Sequence, residues 1–72
     1  MKYEIQIKYH HLKEWEYFAE TDNELNARLV AISLLNSKQT FHPEEPADFR
    51  VVEVGASERI LATFTFACKV IK

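Results

Sequence analysis

Chemistry in this chain could come from three histidines, one cysteine and eleven carboxylates. His10 and His11 are adjacent, and neighbours on an extended strand point to opposite faces, so both could hold one metal ion only from a loop. His42 falls in a separate, proline-containing stretch, and neither C-x-x-C nor H-x-x-x-H spacing occurs, as zinc sites commonly require. All three histidines therefore read as solvated loop residues. Cys68 has no histidine beside it in sequence and no helix N-terminus to lower its pKa. It reads as a small apolar residue near a strand end.

The carboxylates group as Glu14/Glu16/Glu20, Glu44/Glu45/Asp48 and Glu53/Glu58. General-acid work needs one carboxyl in an apolar pocket beside an ionised one. These groups fall on solvated strand faces or in a proline-rich loop. Gly55 is the sole glycine, which excludes a glycine-rich phosphate loop. The expectation is a non-enzyme without metal or cofactor.

Seventy-two residues make room for a single small α+β domain, residues 1–72. Hydrophobic residues are 47% and charged residues 28%, a globular balance that excludes disorder. The formal charge is −2, without the basic excess of a dedicated nucleic-acid binder. One cysteine permits no intrachain disulfide, which favours a reducing, cytoplasmic setting. Met1–Gln6 alternates polar with apolar and lacks a signal-peptide core. The run Leu29–Ile32 is far short of the ~20 residues of a membrane span. A chain this short buries only about 60% of its unfolded surface, and dimerisation is one common remedy.

Lys2–Tyr9 alternates strictly, with Tyr3, Ile5, Ile7 and Tyr9 on one face. Glu14–Thr21 alternates again, placing Trp15, Tyr17 and Ala19 inward and leaving Phe18 outward. Pairing Tyr9 with Trp15 aligns Ile7 with Tyr17, Ile5 with Ala19 and Lys8 with Glu16. Thr21-Asp22-Asn23-Glu24 has capping-box form. Leu25, Leu29, Ile32 and Leu35 or Asn36 follow at helical spacing, flanked by Ala27, Ala31 and Leu34, which predicts a helix ending near Ser37 or Lys38. Pro43 and Pro46 make residues 40–48 a loop. Phe49–Val54 is a third strand, with Gly55 at a turn needing positive φ, and Arg59 to about Val70 is a fourth, whose Ile60, Phe64 and Phe66 face inward.

The order is ββαββ: a four-stranded, largely antiparallel sheet with one helix on one face. A helix ~10 Å across cannot cover a sheet of four strands spaced ~4.8 Å apart. Phe18 and Leu61 then point outward. The second hairpin adds Val52 and Val54, or Phe49 and Val51, according to its register. These six residues form the expected protein interface. Aromatics for stacking unpaired bases belong on an open sheet face, whereas the alternation places most of them under the helix. Nucleic acid is therefore a secondary expectation.

Trp15…Thr21-x-x-Glu24…Ala27…Ala31…Leu34, followed by Phe49-Arg50-Val51-Val52-Glu53, resembles a type of short uncharacterised bacterial or phage-encoded ββαββ protein. Those carry a Trp-bearing hairpin, a capped helix and an RVV-acid strand. The resemblance covers most of the chain and implies fold, not activity. Met1-Lys2-Tyr3 with the Thr21-x-x-Glu24 cap is also similar to the N-terminal domain of HicB-type antitoxins, which implies pairing with a small RNase toxin. That family's Pro-Gly-Cys-like segment before the helix is missing here. The functional expectation is a protein-binding module or accessory subunit, homodimeric through a sheet face or strand edge, with a nucleic-acid-associated regulator as the alternative.

Overall fold

The alternating run Lys2–Tyr9 forms β1, Glu16–Thr21 forms β2, Ala47–Val54 forms β3 and Arg59–Phe64 forms β4, with a single helix, α1, over Glu24–Phe41. These elements belong to a computed structural model that describes residues 2–67. Cys68 and the strand end expected near Val70 lie outside the described residues. The strands make one antiparallel sheet in the order β2-β1-β3-β4. With α1 packed on one face, the chain is an α+β ββαββ fold.

β1 and β3 pair along their whole length, from Lys2 opposite Val54 to Tyr9 opposite Ala47. Ile5 and Ile7 thereby meet Val51 and Phe49 on the inner face. These four join Ala27, Ala31 and Ala47 in one buried core.

The alternation fails once in each edge strand, and both failures are β-bulges. In β2, Ile5 pairs with Ala19 but Gln6 pairs with Tyr17, leaving Phe18 as the extra residue. In β4, Val51 pairs with Ala62 but Val52 pairs with Ile60, leaving Leu61 as the extra residue. A bulge reverses the inside-outside phase of everything on its far side. Phe18 therefore turns in to meet Phe49, and Leu61 packs against the core. Tyr17 and Ile60, expected inside, stand 59% and 55% exposed. The expected pairs Tyr9–Trp15, Ile7–Tyr17 and Lys8–Glu16 are replaced by Ile7 opposite Glu16. The second hairpin uses both expected registers, one on each side of Leu61. Gly55 has no positive φ, because the four-residue connection from Val54 to Arg59 needs none.

Asn23, not Thr21, caps α1. Its Oδ1 accepts the Asn26 N–H at 3.0 Å, in keeping with the strength of Asn as a cap. Thr21 Oγ1 instead accepts the Asn23 N–H at 3.3 Å. Glu24 reaches one turn forward to Arg28 Nε at 3.0 Å, a favourable spacing for opposite charges. The helix runs past Lys38 because that side chain continues the buried face. Lys38 Nζ lies 4.8 Å from the Tyr9 ring centroid and 3.3 Å from Glu45 Oε2, so the stem covers apolar surface while the charge stays paired. His42 donates its N–H to Lys38 O at 2.9 Å, and Pro43 follows.

Candidate interaction surface

The face α1 turns to the sheet is lined by its small residues. Ala27 and Ala31 are fully buried, with Leu34 and Leu35 partly so. Large sheet residues such as Phe49 and Ile5 fill the space beneath, and a close-packed interior then admits only small partners above them. This corrects the expected core stripe. Leu25, Leu29 and Ile32 lie on the opposite side of the helix, 65%, 54% and 40% exposed. Val30 and Phe41 are exposed as well. A helix with apolar residues on both its sheet side and its far side is of the kind found buried between two layers.

The other face of the sheet carries a polar lattice. Arg50 Nε donates to Gln6 Oε1 at 2.7 Å, and Gln6 Nε2 donates to Glu4 Oε1 at 3.1 Å. The Trp15 ring lies 4.3 Å from the Arg50 guanidinium carbon, so Trp15 sits on the open face, not under the helix. Burial draws the Arg50 pKa down from its ordinary value. Glu4 and Glu20 face each other across β1 and β2, a repulsive pair. Lys2 Nζ at 3.2 Å and the Tyr17 hydroxyl at 3.1 Å bind Glu20 and hold its carboxyl below the usual range. Partial desolvation, together with that carboxylate, raises the Tyr17 phenol.

At one end of this face Asp48 acts as a clasp. Its Oδ1 lies 2.8 Å from His10 Nε2 and accepts the Phe66 N–H at 2.9 Å. His10 also packs edge-on against Phe66, centroids 5.9 Å apart, and donates its N–H to Pro46 O. His10 is thus a structural tie, where the sequence suggested a solvated loop histidine. Burial pushes the Asp48 carboxyl up, but the bonds from His10 and the Phe66 amide outweigh it and set the group below its ordinary value. Among the described residues, no three His, Cys, Asp or Glu side chains come together as a metal site.

The six residues expected at an interface are dispersed. Phe49 and Val51 are buried beneath α1, and Leu61 packs against the same core. Val52 lies on the open face, opposite Glu4 and Ile60, yet is only 1% exposed. Val54 is half-buried, and Phe18 is 47% exposed with its ring on Phe49. The bulges account for Leu61 in β4 and Phe18 in β2. The exposed apolar row on α1 is the one the sequence marks as the core face, because the alanine row recurs at the same spacing and is less hydrophobic. Its outward direction required the volume of the sheet side chains.

No family model, curated protein or solved structure matches this chain. Among the described residues no helix is long and apolar enough to cross a membrane.

Proposed function

We propose that this chain is a non-catalytic protein-binding module that self-associates through the back of α1. The observation that carries the reading is the row Leu25, Leu29 and Ile32, each exposed on the side of the helix away from its own sheet. Covering what remains open of each is worth on the order of 1 kcal/mol. The sheet edges offer less. Both β2 and β4 are bulged, and β2 also carries Glu16 and Glu20, features that discourage strand addition. Sedimentation equilibrium tests the reading: the full chain should show a monomer–dimer equilibrium, and Leu29→Glu should be monomeric with unchanged circular dichroism. A wild-type chain that stays monomeric at about 0.5 mM, well above a micromolar dissociation constant, contradicts it.

The nucleic-acid alternative draws support from one observation, the placement of Tyr17 and Trp15 with Arg50 on the open face. Glu4, Glu20 and Asp48 share that face, and they oppose a phosphate backbone. Binding of single-stranded RNA that weakens with salt and with Tyr17→Ala would favour it over the dimer.

A further inference from the structure

We propose that residues 65–67 form a strap, fastened by the Asp48 carboxylate, that opens as a unit ahead of the sheet when that carboxylate loses its charge. β3 begins at Ala47, but β4 pairs with it as far as Phe64, opposite Phe49. Two more residues of ladder would set Phe66 opposite Ala47. Among the described residues the ladder stops short of that pair, and side chains bond the segment's backbone instead. The Phe66 N–H donates to Asp48 Oδ1 at 2.9 Å, and Ala67 O accepts from Gln39 Nε2 of α1 at 3.1 Å. Thr65 and Ala67 are exposed, and Phe66 is the buried anchor between them. A segment with exposed backbone and few buried contacts belongs to the low end of local stability.

One oxygen carries the fastening. Asp48 Oδ1 meets both the Phe66 N–H and His10 Nε2, so β3, the residue after β1 and the strap are joined at a single atom. Burial works against the ionised carboxyl, and these two bonds outweigh it. Lys8, its cross-strand neighbour, and His10 face it from the β1 side, and Arg50 stands two residues on along the same face of β3. The strap brings no charged side chain. On α1 and its exit, Lys38 is held at Glu45 and His42 lies beside Glu44. Opening removes the bonds that keep the carboxyl ionised, so it is coupled to proton uptake and favoured by acid. Protonation weakens both bonds at once. The released strap exposes the Phe66 ring, while the β1–β3 ladder, which does not include it, stays paired.

Amide hydrogen exchange by NMR on the full chain tests the strap. In the wild type the Phe66 amide should be protected, but at least about tenfold less than those of Ile5 and Val51, because a local opening precedes global unfolding. Asp48→Ala should abolish the Phe66 protection, and Gln39→Ala should lower it several-fold, with Ile5 and Val51 still protected in both. Lowering the pH below about 4 should move the Phe66 amide toward its random-coil shift while Val51 keeps its folded shift. Equal protection at Phe66 and Val51 overturns the strap, since the segment would then open together with the sheet. Phe66 protection that survives Asp48→Ala overturns Asp48 as the fastener. If Asp48→Ala does not fold, the wild-type comparison and Gln39→Ala, a change at a partly exposed position, decide.

Discussion

Phe18 lies edge-on to Phe49, ring centroids 6.3 Å apart and planes at 86°. That contact exists because Phe18 is the extra residue of a bulge, and it decides which of two adjacent aromatics supports the core. Phe18→Ala should destabilise by about 1–2 kcal/mol, a fraction of the cost for a fully buried Phe. Tyr17→Ala should stay within about 0.5 kcal/mol. The same inversion in β4 makes Leu61→Ala costlier than Ile60→Ala. Urea denaturation of the four variants measures the order. Strict alternation requires the reverse order in both strands.

Asn23→Ala should cost about 1 kcal/mol, the typical loss of an N-cap side chain. Thr21→Ala should cost less, because Thr21 Oγ1 serves only the Asn23 N–H at the turn before the helix. Thermal denaturation followed by circular dichroism distinguishes the two. A larger loss at Thr21 would place the cap where the capping-box pattern puts it.

The strands, the single helix and the ββαββ order were legible because period-two alternation and helical spacing are strong signals in residues 2–9 and 24–38. The bulges at Phe18 and Leu61 were not. One inserted residue changes no local composition, and its effect is known only once the partner strand's register is seen. The face of α1 was ambiguous for another reason. Ala27/Ala31 and Leu25/Leu29 both recur at intervals of four, and hydrophobicity ranks the leucines first. Packing volume against Phe49 and the β1 isoleucines chose the alanines. The Asp48 clasp was hidden because His10, Asp48 and Phe66 are distant in sequence and share no motif.

Asp48 gives the acid limb of stability a definite sign. Its folded-state pKa lies below the unfolded one, so its stabilisation is fully present above the ordinary carboxylate range, near pH 4. It is lost as pH falls through the lower folded value. Asp48→Asn should therefore cost about 1–2 kcal/mol at pH 6, and the gap between variant and wild type should close at strongly acid pH. Urea midpoints from pH 7 down to about pH 2 measure it. A gap that stays constant over that range would mean that the carboxylate's charge is not what ties His10 and Phe66.

Trp15 is the sole tryptophan, so its fluorescence reports the stack on Arg50 directly. Arg50→Ala should shift the Trp15 emission maximum and lower stability by roughly 0.5–1 kcal/mol through the lost cation–π contact. A double-mutant cycle with Trp15→Ala separates that contact from the bond between Arg50 and Gln6. Zero coupling between positions 15 and 50 would dissolve the stack.

The most direct test of the contact surface is an amide NMR dilution series of the wild-type chain, from about 1 mM to ~10 µM, a range that spans a micromolar dissociation constant. The back of α1 as the contact predicts concentration-dependent shifts centred on Leu25, Leu29 and Ile32, with Tyr17 and Ile60 on the open sheet face unmoved. Shifts centred on that sheet face, or spectra that do not change with concentration, would contradict it.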